Sequence, residues 1–164
     1  MRKKSAYNGF MKAAKFALFS VVALLAVTKG PAQLPAQDRE TLLQHRIDTI
    51  RAAQMLGLSM RIYSASHHDQ YATNFTQLTN ELAGATSLNG IKIDTFEFMN
   101  AGVVDETMVD TLIFREVKPR KNPDGKLERV YCLSDGTAYN IISDDGNFDA
   151  YERQHAPTPA NSTK

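Results

Sequence analysis

Thr111-Leu-Ile-Phe-Arg-Glu-Val117, Pro119-Arg-Lys-Asn-Pro-Asp-Gly125, Arg129-Val-Tyr-Cys-Leu133, Ser134-Asp-Gly136 and Thr137-Ala-Tyr-Asn-Ile-Ile142 follow one another almost without a gap, and their reading decides the fold class. Runs of β-branched and aromatic residues alternate here with turn chemistry. Asp124-Gly125 tips one connection and Ser134-Asp135-Gly136 the next. Aspartate and glycine tolerate tight reversals, whereas valine, isoleucine, tyrosine and phenylalanine suit a pleated, half-buried surface. The pattern predicts a meander of three antiparallel strands, and the alternating Thr95-Phe-Glu-Phe-Met99 predicts a fourth strand ahead of it.

Upstream the period changes. Leu43, Ile47, Ile50, Leu56, Met60 and Tyr63 recur at spacings of a helical face, with Arg46, Asp48, Arg51 and Arg61 between them. They predict an amphipathic helix over 38–66, with Asp38 as its N-cap and Glu40 at the positive end of its dipole. Leu42, Ala53, Leu58 and Ile62 widen the stripe beyond a coiled-coil seam, which makes it a core-facing stripe. A second helix is expected at 75–82, capped by Thr73 or Asn74 with Gln77 in capping-box position, and loop from Ala83 through Gly90. A long helix and a meander must each bury one face, and the economical solution lays one across the other. The expected fold is therefore α+β: a long N-terminal helix packed on a small antiparallel β-meander of three to four strands.

The first 32 residues read differently. Arg2, Lys3, Lys4, Lys12 and Lys15 precede an apolar run of 12, Phe16 to Val27, and Gly30-Pro31-Ala32 follows. A basic region, a short apolar stretch and small residues behind a helix breaker make a secretory signal, with Ala32 before the cut. A retained membrane anchor is the alternative, although a crossing wants about 20 apolar residues. The expected organisation is a signal peptide or N-terminal membrane anchor at 1–32, a linker at 33–37, the α+β domain at 38–154 and a disordered tail at 155–164. The basic flank predicts a cytoplasmic N-terminus and an exported body, periplasmic or held at the inner membrane by the N-terminal segment. Residues 1–32 hold six of the 19 bases and none of the 18 acids, so 33–164 carries 13 bases against 18 acids, net −5. An acidic exported domain has no electrostatic reason to bind nucleic acid.

Candidate chemistry is sparse. Asp144, Asp145, Asn147 and Asp149 cluster oxygen ligands around Gly146 as calcium loops do, without EF-hand spacing; an Asx-rich turn is the alternative. His67 and His68 lack a second ligand pair spaced to complete a zinc site. The single Cys132, flanked by Tyr131 and Leu133, reads as a small buried hydrophobe. Arg115, Glu116, Lys118, Arg120, Lys121, Lys126, Glu128 and Arg129 read as a solvated hairpin edge of interleaved charge. No catalytic constellation and no cofactor motif is expected, and the sequence points to a protein without enzymatic activity.

Ordered motifs add a resemblance. Met60-Arg-Ile-Tyr-Ser-Ala-Ser-His-His-Asp-Gln-Tyr71, Asn74-Phe-Thr-Gln-Leu78, Phe96-Glu-Phe98, Phe114-Arg-Glu-Val-Lys118, Pro123-Asp-Gly-Lys126, Arg129-Val-Tyr131, Ser134-Asp-Gly136 and Asp145-Gly-Asn-Phe-Asp-Ala-Tyr-Glu152 stand in the order found in pilin-like proteins. Over residues 40–154 the chain resembles the major pseudopilins of type II secretion and their type IV pilin relatives, in the form seen in Verrucomicrobia. The resemblance implies a pilin-like head, protein partners at the cell envelope that include other pilin-like subunits, a late loop that holds calcium in some members, and a link to type II secretion. The chain departs from the pattern at its start. Gly9-Phe10-Met11-Lys12 lacks the glutamate of a prepilin cleavage site, Pro31 and Pro35 interrupt any continuous helix, and Ala72 stands where relatives carry proline. These departures imply an exported accessory or ligand-binding domain that reuses the head without filament assembly as the alternative to a filament subunit, with an envelope enzyme as the less favoured one.

Overall fold

The structure, a computed structural model, describes residues 34–100, 102–103 and 109–156. The expected signal or anchor at 1–32 lies outside the described residues, as does the tail from 157 onward. Helix α1 spans Ala36–Ser66. It starts two residues earlier than the sequence suggests. Pro35, with φ −50° and ψ 145°, occupies the N-cap and Asp38 lies inside the first turn, where it still faces the positive end of the dipole.

The strands are short. They are β1 (Gln70–Tyr71), β2 (Ser87–Leu88), β3 (Ile91–Lys92), β4 (Phe96–Phe98), β5 (Gly102–Val103), β6 (Leu112–Glu116), β7 (Arg120–Lys121), β8 (Leu127–Leu133) and β9 (Ala138–Ser143); a short helix α2 (Asp149–Gln154) follows. Strands β4, β6, β8 and β9 lie side by side, all antiparallel, and β7 pairs with the start of β8 on the side where β6 pairs with its end. The α+β class and the meander match the sequence pattern; β7 and the two-stranded pairs β1–β5 and β2–β3 add to it. Asn89 and Gly90, both at positive φ, turn β2 into β3, the type I′ chemistry that an Asn-Gly pair favours. The expected second helix is a single 3-10 turn, Phe75–Leu78. Asn74 Oδ1 accepts from Gln77 N at 3.1 Å, and Gln77 Oε1 reaches back to Thr73 N at 2.7 Å. At the far end His155 belongs to the fold rather than to a tail: its carbonyl accepts from Leu112 N at 2.9 Å.

The two faces of the sheet carry different cores. Val130 and Cys132 of β8 join Ala52, Ala53, Leu56 and Met60 of α1 in one; Tyr131 and Leu133 join Leu112 and Phe148 beneath α2 in the other. A β-bulge in β6 makes this possible. Leu112 pairs with Leu133, but Phe114 pairs with Cys132, so an extra residue enters β6 and switches which face the next side chains meet. Phe114 then meets Phe75 and Phe98 at ring distances of 5.8 and 4.8 Å.

Against the sheet, α1 presents small residues. Thr49, Ala52, Ala53, Leu56, Gly57, Ser59, Met60 and Ser64 are its buried positions. A Cβ on Gly57 would lie 2.6 Å from Cys132 Sγ and 3.1 Å from Gly136 Cα, so helix and hairpin meet nearly backbone to backbone. Gly57→Ala is therefore expected to destabilise the protein by about 1–3 kcal/mol through overpacking, despite a helix-propensity gain near 1 kcal/mol. Cys132→Ala in the same chain should recover most of the loss; urea denaturation of the four members of this double-mutant cycle measures it, and additive effects would refute the contact.

Candidate functional site

The small-residue seat of α1 turns larger apolar residues outward. Leu43, Ile47, Met55, Leu58 and Ile62 are 38–57% exposed. At about 100° per residue they fall within roughly one third of the helix circumference, opposite the buried side. Four of the ten residues expected in the core-facing stripe, Leu43, Ile47, Leu58 and Ile62, are thus outside the core. The physical reason is that the sheet-facing side of α1 is taken by Thr49, Ala52, Ala53, Leu56, Gly57, Ser59 and Met60, with backbones closest at Gly57, which leaves these four on the opposite side. The outcome is an apolar stripe running along a helix of 31 residues, interrupted by Gln44, Arg51 and Gln54.

Two charge clusters pin the sheet from either side. On the α1 face, Glu116 and Glu128 are each 1% exposed, so the expected solvated edge is in these two residues a buried one. Glu128 accepts from Arg46 of α1, from Asn140 Nδ2 at 3.1 Å, and lies 3.3 Å from Arg120 Nη1. Arg120 Nε also donates to Glu116. The second oxygen of Glu116 accepts from Val130 N at 3.2 Å, replacing a ladder bond between the stretches of β8 that β6 and β7 cover. A buried carboxylate is tolerable only with this degree of pairing.

On the opposite face Glu152 of α2 gathers Arg115 Nη1 at 2.7 Å, Arg129 Nη1 at 3.0 Å and the Tyr131 hydroxyl at 2.7 Å. Arg115 Nε reaches Glu97 at 2.6 Å. Burial works against the Glu152 charge, but the Tyr131 hydroxyl and the two guanidiniums outweigh it and hold its carboxyl below the ordinary range. Burial, joined by the Glu152 carboxylate, raises the Tyr131 phenol. The basic residues that seemed to crowd a hairpin surface are in this part a clamp on α2.

The other singled-out residues are placed as follows. In the 144–149 loop, Lys126 Nζ sits 2.7 Å from Asp144 Oδ1. Asp145 Oδ1 accepts from Ser143 Oγ at 2.8 Å and from Asn147 N at 2.9 Å, and Asn147 Oδ1 accepts from Asp149 N at 2.9 Å. These are consecutive Asx turns, with Gly146 at φ 79° between them. The backbone bond from Asn147 leads the causes that lower the Asp145 carboxyl. Among the described residues no three His, Cys, Asp or Glu side chains form a group able to hold a metal ion. His67 stacks on Tyr63 with ring centroids 3.7 Å apart at the end of α1, and His68 and Asp69 turn the chain at positive φ. Cys132 is fully buried, and burial together with the nearby Asp135 carboxylate pushes its thiol up to about 12, which leaves it without nucleophilic character at neutral pH.

Compared with known proteins, the chain matches no family model, no curated protein and no solved structure. Among the described residues no helix is long and apolar enough to cross a membrane. The α1 stripe was hidden from sequence reasoning because periodicity finds an apolar face without saying which way it points. The small residues at Thr49, Ala52, Ala53, Gly57 and Ser59, on one side of the helix, are the signal that marks the buried side.

Proposed function

We propose that this chain is a non-enzymatic, exported, pilin-like protein that acts by protein–protein contact at the cell envelope, in the service of type II secretion. The observation that carries the reading is the outward apolar stripe of α1. Five large apolar side chains on one exposed helix face form a surface that water disfavours and a partner helix or groove covers. The ordered motifs from Met60 to Glu152 supply the pilin-like part of the proposal, and the N-terminal segment supplies export. A second reading, an accessory domain that reuses the head without filament assembly, is favoured by Pro31, Pro35 and the absence of a glutamate after Gly9.

Photo-cross-linkable residues at Ile47 and Leu58 of the full chain test the contact in cells, with Thr79, exposed and outside α1, as control. Adducts to pilin-like envelope subunits from 47 and 58 but not 79 are expected. Recovery of the uncut chain in the cytosol, or equal labelling from all three positions, would overturn the proposal.

The late loop is tested separately. With Lys126 on Asp144, and with Asp145 Oδ1 and Asn147 Oδ1 engaged in Asx turns, 2 mM calcium in place of chelator is expected to shift Tm by less than about 1 °C; a site filled at 100 times its Kd would add about 2.7 kcal/mol. A rise of several degrees would make 144–149 a calcium loop.

A further inference from the structure

Strand β9 ends the sheet. Its sequence, Ala138-Tyr-Asn-Ile-Ile-Ser143, has no charge, no proline and no glycine, and among the described residues its outer edge has no strand partner. Edge strands are ordinarily blunted by lysine, proline, bulges or extreme shortness, because unpaired N–H and C=O groups template another chain. At six residues, β9 carries none of these devices within its span. Tyr139 and Ile142 are each 48% exposed, one on either face of the strand.

The free edge can be read residue by residue. Leu133 N donates to Thr137 O at 2.8 Å, which starts the β8–β9 ladder. Bonded and non-bonded pairs alternate in an antiparallel ladder. Tyr139, Ile141 and Ser143 thus aim their backbone groups at β8, while Ala138, Asn140 and Ile142 aim theirs outward. We propose that the outer edge of β9 pairs antiparallel with β9 of a second copy of this chain, centred on Asn140 facing Asn140, so that the two sheets become one.

Symmetry and register support a copy as the occupant. A two-fold axis perpendicular to the sheet requires that a residue face itself, and Asn140 is the middle one of the three outward positions. That register sets Ala138 against Ile142 and Tyr139 against Ile141, so the two exposed apolar side chains of each copy are covered by apolar partners. It also brings the Asp145 turn of one copy to the Asp135 turn of the other. There two carboxylates meet one guanidinium, that of Arg61, whose Nη1 donates to the Asp135 carbonyl at 3.0 Å and offsets part of their like charge. Both α1 helices then lie on the same side of the joined sheet. The pairing uses none of the residues on which the α1 contact depends, so either can fail alone.

Sedimentation of the full chain in mild detergent tests it. Wild type is expected to shift from monomer towards twice the chain mass as concentration rises to about 100 µM, a range typical of weak interfaces. Ile142→Pro removes an outward N–H without cutting a β8–β9 bond, and Ile142→Lys adds the missing edge charge; each is expected to abolish the dimer with the circular dichroism unchanged. Asn140→Cys is expected to cross-link to itself under mild oxidation, since facing residues lie near 5.5 Å apart, and Tyr139→Cys is not. A chain monomeric throughout the range, a dimer that survives both Ile142 variants, or a dimer without the Asn140→Cys cross-link would overturn the proposal.

Discussion

Replacing Glu128 with alanine is expected to lower stability by about 3 kcal/mol, the low end of the range for breaking a buried ion pair. The carboxylate is 2% exposed and holds Arg46, Arg120 and Asn140 at once. Without it the guanidiniums of Arg46 and Arg120 lose their shared carboxylate beneath α1, and Glu116 remains paired with Arg120. The loss stays at the low end because Arg46 and Arg120 keep about a fifth of their side chains exposed, 22% and 20%, and can turn partly to water. Arg39 and Asp124 are the internal control. They form an ion pair at 3.7 Å with 59% and 65% exposure, and Arg39→Ala should cost no more than about 0.5 kcal/mol. Urea denaturation of the full chain, read as a change in midpoint at constant slope, separates the two. Equal effects of Glu128→Ala and Arg39→Ala would show that the α1 face of the sheet does not depend on its buried charge.

Phe114→Ala is expected to cost about 3–5 kcal/mol, as for other large-to-small changes at fully buried aromatic positions. Its ring is 0% exposed and packs against Phe75 and Phe98, whose own rings lie 4.7 Å apart. The 3-10 turn that carries Phe75 is short, so its position depends on this contact more than on its own hydrogen bonds. Phe114→Leu keeps much of the volume and should recover more than half of the loss. A Phe114→Ala chain less than 1 kcal/mol below wild type would mean that Phe75 and Phe98 close over the gap, and that the bulge in β6 does not place an anchoring residue.

The elements themselves were legible where their signals are local. Alternation in Thr95–Met99, the run Thr137–Ile142 after its turn, and glycine-bearing turns at Gly125 and Gly136 depend on a few adjacent residues, and the strands stand where those residues put them. Helix α1 ends at Ser66, as its spacing suggested. The Asn89-Gly90 hairpin was also local and legible in principle; its flanking strands are two residues each, too short to show a period. What the sequence could not show depends on residues far apart in the chain. Glu116 and Glu128 look like surface charges until β7 and α1 bring Arg120 and Arg46 over them. The orientation of α1 depends on contacts far apart in the chain, among them Gly57 against Cys132 across 75 residues, and it buries Leu56 while leaving Leu43 and Leu58 outside. The candidate interaction face was therefore visible as a set of residues and invisible as a surface.

The meeting of Gly57 with the Cys132–Gly136 hairpin has a mechanical consequence. A helix seated on a flat bed of alanines can creep or roll by small steps, but one notched at a single glycine cannot. A slip of one residue would bring Leu56 or Leu58 to a point where even a methyl group lies too near. Axial and rotational play are removed together, and any molecule that docks on the outward leucines meets them at one fixed bearing, as a rail rather than a loose rod.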